Sequence, residues 1–462
     1  SIDGGAGADV IDLLDGIADF NVLGGLEADT ITLNGATVTG SIDGGAGEDE
    51  FTWQSGTTAV FRGGEGSDIA EVTATEYNYS QILDGGDNDD ETNGVIDQLT
   101  VRGLEIEISG TGNLTNWEII IFDDMTVNSL DNLPATSTGA GNGLFLINET
   151  VFSSDDEFIH DGNLDISNDS EFRGAGSGQG TYQFENLINN GTVSLRDLAA
   201  GDVMTTLGDY SGAGALLLDV DFTSKSADTL EVNGDVMDST TVITVQNVED
   251  PLPASSAVTT SSFPVAKILL VNVTGTTAEE DFTLEGDFIT NGAFDYFLEL
   301  ESSQWLLVPE LNSVGAVAGA ASSVLLNAFT DLPTMEQRTA SRQWLWTGAV
   351  SEDGQSADQG VWLRFSGDHM SASPESNAGA IDFDSDVWST QAGMEFRLSD
   401  DEQGQWLLGV TLQYGTVEAD VGNEQGRGSV EADGYGAGLT ATWVGHSGSY
   451  FDVQGQINWL ES

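Results

Sequence analysis

The last hundred residues alternate between apolar and polar side chains with a period of two. Val361, Leu363 and Phe365 fall on one face of a predicted strand, and Arg364 and Ser366 fall on the other. The same alternation recurs four more times, in residues 388–398, 406–414, 435–443 and 451–459. Because successive side chains of a strand point to opposite faces, this spacing predicts five long strands.

These strands are long, and aromatic residues stand near their ends, at Trp388, Tyr414 and Trp443. Strands of about ten residues with one apolar and one polar face are typical of an outer-membrane β-barrel. The apolar face would meet lipid. The polar residues expected to face the lumen are Arg364, Glu395, Arg397, Gln413 and Asp452. A soluble β-sandwich is the alternative, but its strands are usually shorter, about five or six residues.

The first hundred residues contain an internal repeat that is punctuated by glycine pairs. The pairs are Gly4-Gly5, Gly24-Gly25, Gly44-Gly45, Gly63-Gly64 and Gly85-Gly86, at intervals close to twenty residues. After most pairs comes an acidic residue and then a short apolar strand. A fixed period of this size predicts the stacked coils of a β-solenoid.

Three of these turns suggest a metal site. Residues 4–9, 44–49 and 63–68 follow the pattern Gly-Gly-x-Gly-x-Asp and resemble the turns of calcium-binding β-rolls. Aspartate supplies hard oxygen ligands for calcium, so Asp9, Asp49 and Asp68 are the candidate ligands. The alternative is that these aspartates are acidic corners of an ordinary β-helix without a metal.

The composition argues against several kinds of binding partner and metal site. The net charge of −66 argues against a nucleic-acid partner. The chain has no cysteine and three histidines, so neither a disulfide framework nor a histidine-rich zinc site is expected. No catalytic motif was found, and His160, in a polar turn, is expected on the surface. Both ends of the sequence are expected to be cut from a longer protein.

Between these regions the order of motifs resembles the pertactin-like cap of autotransporter passengers. Residues 207–216 read Leu-Gly-Asp-Tyr-Ser-Gly-Ala-Gly-Ala-Leu, residues 227–234 read Ala-Asp-Thr-Leu-Glu-Val-Asn-Gly, and residues 305–308 read Trp-Leu-Leu-Val. A small-residue helix is predicted at 314–329 and a second short helix from Met335 to Trp344. In autotransporters, which use type V secretion, such a helix links the passenger to its barrel and threads the lumen.

This resemblance and the patterns together predict the organisation of an all-β chain. A right-handed parallel β-helix passenger would be followed by a linker helix and part of an antiparallel outer-membrane barrel. The predicted divisions are 1–100 for the glycine-rich repeats, 101–206 for further β-helix, 207–310 for the cap, 311–347 for the linker helices and 348–462 for the first five barrel strands.

The resemblance implies a protein that moves its own passenger across the outer membrane. The lack of a catalytic constellation in the sequence predicts that it is not an enzyme. The passenger would be adhesin-like and displayed on the cell surface or secreted. Expected partners are outer-membrane lipid, the barrel-assembly machinery and a host or environmental surface ligand. Calcium is a possible cofactor. Two alternatives stay open: a secreted calcium-binding β-roll protein, and a passenger whose enzyme domain lies upstream of residue 1.

Overall fold

A computed structural model describes most of the 462 residues. It describes all residues except 87–93, 110–112, 137–138, 140, 156, 175, 177, 249–265, 293, 313–331, 340–358, 373–381, 424–425 and 462. The small-residue helix predicted at 314–329 and a predicted loop insertion at 251–263 therefore lie outside the described residues.

The chain divides into two compact units. The first contains residues 1–289 and 296–309, and the second contains residues 290–295 and 310–462. The first unit is built mainly from short parallel strands and the second from long antiparallel strands. The predicted all-β class, a solenoid followed by an antiparallel sheet, is confirmed.

Two sheets begin in the glycine-rich repeats. One sheet has the order β1 (Ile2–Ala6), β4 (Val22–Leu26), β6 (Ser41–Ala46), β8 (Val60–Glu65), β10 (Ile82–Gly86) and β13 (Leu114–Thr115). The other has the order β2 (Val10–Leu13), β5 (Thr30–Val38), β7 (Glu50–Thr57), β9 (Ile69–Val72), β11 (Gln98–Arg102), β14 (Ile119–Asp123), β16 (Gly143–Ile147), β19 (Leu164–Ile166), β22 (Leu187–Asn189), β25 (Tyr210–Gly212) and β29 (Val236–Ser239), with β3 (Ile17–Ala18) beside β5.

Two further sheets line the later coils. One has the order β12 (Glu105–Ile108), β15 (Thr126–Ser129), β17 (Val151–Ser154), β20 (Glu171–Gly174), β23 (Thr192–Ser194), β26 (Ala215–Asp221), β30 (Thr241–Asn247) and β32 (Phe282–Leu284), with β27 (Ser226–Ala227) beside β26. The other has the order β18 (Glu157–Ile159), β21 (Thr181–Phe184), β24 (Val203–Thr206), β28 (Thr229–Val232), β31 (Ile268–Val273), β35 (Gln304–Leu311), β34 (Phe294–Glu301) and β33 (Phe288–Asn291).

The strand register explains the twenty-residue repeat. Ile2 pairs in parallel with Val22, Val22 with Ile42, and Ile42 with Phe61, so equivalent residues of successive coils stack. In the sheet that begins with β18, parallel pairing continues up to β31, and β35 then pairs with β31 in the antiparallel direction. In the neighbouring sheet, the last parallel pair is β30 with β32. Because each coil buries its apolar residues against its neighbours, the repeat forms one continuous core.

Aromatic side chains fill the middle of this core. Phe152 stacks on Phe172 with ring centroids 5.7 Å apart. His160 lies within the same cluster, 1% exposed, and its Nε2 is 2.8 Å from Thr136 Oγ1. Burial lowers the pKa of His160 to about 4. The prediction that His160 lies on the surface was therefore wrong, because the turn that carries it folds inward against Phe158 and Phe184.

The second unit contains one antiparallel sheet. Its strands are β36 (Gln359–Ala372), β37 (Asp382–Asp400), β38 (Gly404–Asn423), β39 (Gly426–Gly445) and β40 (Tyr450–Glu461), each paired with the next. A short helix, α1 (Met335–Thr339), precedes it within the described residues. The amide of Gln337 donates to Thr334 Oγ1 and the amide of Thr334 donates to Gln337 Oε1, so a capping box begins the helix.

Among the described residues, no helix has both the length and the apolar character needed to cross a membrane.

Candidate functional site

The five-stranded sheet exposes apolar side chains on its outward face and buries polar side chains on its inward face. On the outward face, the apolar side chains of Leu412, Leu439 and Ile457 are 67%, 62% and 64% exposed. On the inward face, the polar side chains of Glu395 and Thr442 are buried. A sheet of a water-soluble protein buries its apolar face, so this arrangement suits an apolar surrounding medium and a polar interior.

Aromatic rows mark two levels of the outward apolar face. Trp406 pairs with Trp443 at one level. Eight residues further along β38, Tyr414 pairs with Tyr435, and their ring centroids are 5.3 Å apart. At about 3.4 Å per residue, the two rows are separated by about 27 Å along the strand, before any allowance for strand tilt. Aromatic girdles flank the apolar band of outer-membrane barrels, which is about 25 Å tall.

A chain of hydrogen bonds crosses the polar face from strand to strand. Arg364 donates to Gln391 Oε1 at 3.3 Å, and Gln391 donates to Gln413 Oε1 at 2.7 Å. Gln456 donates to the same Gln413 oxygen at 2.7 Å and also to Asn458 Oδ1 at 2.6 Å. The antiparallel register produces this chain, because Arg364, Gln391 and Gln413 occupy one row. The amides thereby satisfy one another away from solvent.

The centre of the candidate site is Arg338 of α1, whose side chain is fully buried on this polar face. Its Nη2 donates to Asp452 Oδ1 at 2.6 Å, and its Nη1 lies 3.3 Å from Glu395 Oε1. Thr442 donates to the same Asp452 oxygen at 2.5 Å. One cation is thus held by two carboxylates from β37 and β40. Burying a charge is costly unless it is paired in this way.

A second contact fixes the chain just before the helix. Gln454 Nε2 donates to the carbonyl oxygen of Pro333 at 2.9 Å. Pro333 precedes the Thr334 cap, so both the entry and the body of α1 are bound to the polar face. The sheet therefore uses its polar face to hold a segment that precedes it in the chain.

The structure brings together four of the five residues predicted to line a lumen. Glu395 and Asp452 bind Arg338, and Arg364 and Gln413 belong to the amide row. Arg397 shares the face and lies in register with Leu407. That this face lines a lumen stays a prediction.

Sequence reasoning missed Arg338 itself, although the chain has only 11 lysines and arginines. The sequence did offer a signal for this ion pair. A rare basic residue lies in a predicted short helix, and the strands that follow carry acidic residues at inward positions.

The aspartates predicted to bind calcium occupy a different environment, inside the turns of the solenoid. Asp49 Oδ1 accepts from the amide of Asp29 at 2.7 Å, and Asp68 Oδ1 accepts from the amide of Asp49 at 2.8 Å. Each carboxylate also packs beside the first glycine of its pair, because a Cβ on Gly44 would lie 2.5 Å from Asp49 Oδ2.

This stacking explains part of the Gly-Gly-x-Gly-x-Asp pattern without a metal. Burial raises the pKa of Asp49. Within the described part of the chain, Asp9, Asp49 and Asp68 do not belong to a group of three ligand atoms that lie within 4.8 Å of one another.

Comparisons with known families agree with this geometry. Residues 361–462 match the family described as the autotransporter beta-domain, and residues 184–309 match the family described as pertactin. These two segments resemble those of an autotransporter. The first match covers nearly all of the five-stranded sheet, and the second covers the last parallel coils and the strands that end the solenoid. The resemblance proposed from the motifs is confirmed.

Two curated relatives carry autotransporter names. The chain is 35% identical over 142 residues to the adhesin BmaC autotransporter of Brucella suis biovar 1 (strain 1330), across 30% of this chain and 4% of that protein. It is 25% identical over 312 residues to the probable autotransporter YfaL of Escherichia coli (strain K12), across 60% of this chain and 23% of that protein. The matched regions thus span less than a quarter of either relative.

One solved structure is also similar. The Haemophilus influenzae Hap adhesin shares 15% sequence identity at a TM-score of 0.35, over 64% of this chain and 33% of that one. The names of the beta-domain family, BmaC and YfaL state an autotransporter, and the name of BmaC also states an adhesin.

Proposed function

We propose that the five-stranded sheet is part of an outer-membrane translocator that exports the solenoid as its passenger. The apolar outward face, bounded by two aromatic rows about 27 Å apart along the strand, supports contact with lipid. The buried polar face supports a lumen through which a polypeptide passes. The sheet would be inserted with the help of the barrel-assembly machinery.

The observation that carries this proposal is the position of Arg338. In a translocator, the segment between the passenger and the barrel has to lie inside the lumen at the end of export. Here a segment that precedes the sheet is held on its polar face by Glu395, Asp452 and Gln454. A sheet that only packed onto a soluble domain would bind neighbouring segments through its apolar face.

The passenger is proposed to be an adhesin-like module on the cell surface or released from it. Support comes from the similarity to the BmaC adhesin and from the length of the solenoid, whose stacked coils present long regular faces. Its partner would be a ligand on a host or environmental surface, and its role would be binding without catalysis. Attachment of cells that express the native protein, compared with cells that express an in-frame deletion of the solenoid, tests this role.

The membrane assignment is tested by two substitutions on the outward face of β38. Val410→Arg places a charge midway between the Trp406 and Tyr414 levels of the apolar band, where the expected cost is about 2–4 kcal/mol. Glu418→Arg is the control, because Glu418 lies on the same face of the same strand but beyond the aromatic level of Tyr414. Protease accessibility of the passenger on intact cells reports export.

The proposal expects Val410→Arg to reduce the amount of surface passenger strongly and Glu418→Arg to leave it near the wild-type amount. Equal export by both variants would show that the exposed apolar face does not meet lipid.

A further inference from the structure

We propose that the strand pair β36–β37 carries a site for a borderline divalent cation of the zinc class, formed by His369, Asp384 and Asp386. One ligand atom from each of these residues lies within 4.8 Å of the other two. All three side chains are exposed on the outward face, so they are accessible to an ion from solution.

The strand register creates this cluster. His369 of β36 pairs directly with Asp386 of β37, and Asp384 lies two residues along β37 on the same face. His369 Nδ1 is 2.9 Å from Asp386 Oδ1 and 3.5 Å from Asp384 Oδ1. Ligands at about 2.0–2.2 Å from a tetrahedral zinc ion lie about 3.3–3.6 Å from each other. The observed separations are close to this spacing, and exposed side chains reach it by small rotations.

The chemistry of the ligands selects the class of metal. An imidazole nitrogen with two carboxylates suits zinc, manganese, cobalt or nickel, whereas calcium and magnesium prefer shells of oxygen ligands alone. Three protein ligands leave a fourth position for water. The ligands come from two strands, so a bound ion would clamp β36 to β37 at the end of the sheet beyond the Tyr414 row.

An adjoining pocket and neighbouring carboxylates favour the binding of a cation at this cluster. A pocket of about 420 Å³ adjoins the cluster on this face, and its lining includes Gly367, His369, Asp386, Trp388, Glu418 and Glu431. The absence of a side chain at Gly367 leaves space beside Trp388. Asp386, Glu418 and Glu431 continue in one row across three strands. Neighbouring carboxylates raise the local concentration of cations at the cluster.

The test is zinc binding by the purified full chain in detergent, measured by equilibrium dialysis against a millimolar excess of calcium. The calcium occupies sites made of carboxylates alone. We expect one zinc ion per chain that resists this excess, and we expect His369→Ala and Asp386→Asn each to weaken its binding at least tenfold. Because both side chains are exposed, these variants retain the fold, and circular dichroism checks this.

Two control variants separate the site from general electrostatics. His446→Ala removes a histidine from the turn between β39 and β40, and Asp433→Asn removes a negative charge from the outward face without removing a ligand. Both are expected to bind zinc within about twofold of the wild-type affinity. Unchanged zinc binding by His369→Ala, or displacement of the zinc by calcium, would overturn the proposal.

Discussion

The contact between Arg338 and the sheet is open to a quantitative test, the substitution Arg338→Met. The Arg338 side chain is completely buried, and the side chains of its partners Glu395 and Asp452 are 2% and 13% exposed. Methionine fills a similar volume but leaves both carboxylates without their cation. Removing one partner of a buried ion pair costs about 3–5 kcal/mol. The equilibrium constant for folding is therefore expected to fall by a factor of about 10² to 10⁴.

The assay is urea unfolding of the protein in detergent micelles, followed by tryptophan fluorescence. The triple variant Arg338→Met/Glu395→Gln/Asp452→Asn removes the uncompensated charges together, so it is expected to recover much of the lost stability. Arg173→Met is the control, since Arg173 pairs with Glu171 on the exposed surface of the solenoid. Such a pair contributes about 0–1 kcal/mol.

Two results would refute this reasoning about the ion pair. A loss below about 1 kcal/mol for Arg338→Met would mean that the pair is not buried from solvent. A triple variant no more stable than Arg338→Met would mean that the two carboxylates do not depend on the arginine for their charge compensation.

Three further predictions concern other parts of the chain. Arg364→Leu is expected to reduce surface display of the passenger more than Phe365→Leu. The reason is that Arg364 donates a hydrogen bond to Gln391 on the polar face, whereas Phe365 is exposed on the apolar face. Equal display of the two variants on intact cells would contradict this. Burial raises the pKa of Asp228 from 3.8 to about 7. The protonated side chain therefore contributes most to stability below pH 3.8, and this contribution falls as the pH rises to 7. At 1.36 kcal/mol per pKa unit, the fall is about 4 kcal/mol. The measurement is the difference in unfolding free energy between the wild type and Asp228→Asn, from urea unfolding between pH 4 and 8. Taking the difference cancels the opposite contribution of His160, whose lowered pKa adds stability as the pH rises. The difference is expected to decline by this amount, and a constant difference would contradict the prediction. Calcium binding at the glycine-rich turns predicts that calcium raises the melting temperature of the solenoid in calorimetry and that Asp49→Asn reduces this rise; an unchanged melting temperature would reject a calcium role.

The periodic parts of the fold were predictable from the sequence because each is specified by local spacing. The twenty-residue interval between glycine pairs corresponds to one coil, as the pairing of Ile2 with Val22 shows. The period of two in residues 406–414 corresponds to the inward and outward faces of β38, with Leu412 outward and Gln413 inward. Strand geometry operates over a few residues and coil stacking over one repeat of about twenty residues, so both leave a regular pattern in the sequence.

The contacts at the candidate site were less predictable because they join distant residues. Arg338 lies 114 residues from Asp452 in sequence, and nothing near either residue indicates the other. Asp49 shows a second reason why the sequence did not predict the site, because one motif can fit two structures. Its motif resembles a calcium turn, yet the same glycine and aspartate spacing also permits a carboxylate to bond the amide of the preceding coil. The sequence around His160 is polar, but the coil turns its ring into an aromatic core.

The central claim is that the outward face of the five-stranded sheet meets lipid while its inward face does not. The chain has no cysteine, so single cysteines at Leu412 and Gln413 allow specific fluorescent labelling of adjacent residues on opposite faces. After reconstitution in vesicles, lipids with brominated acyl chains are expected to quench the label at position 412 strongly and the label at position 413 weakly. Equal quenching at both positions, or stronger quenching at position 413, would contradict the account.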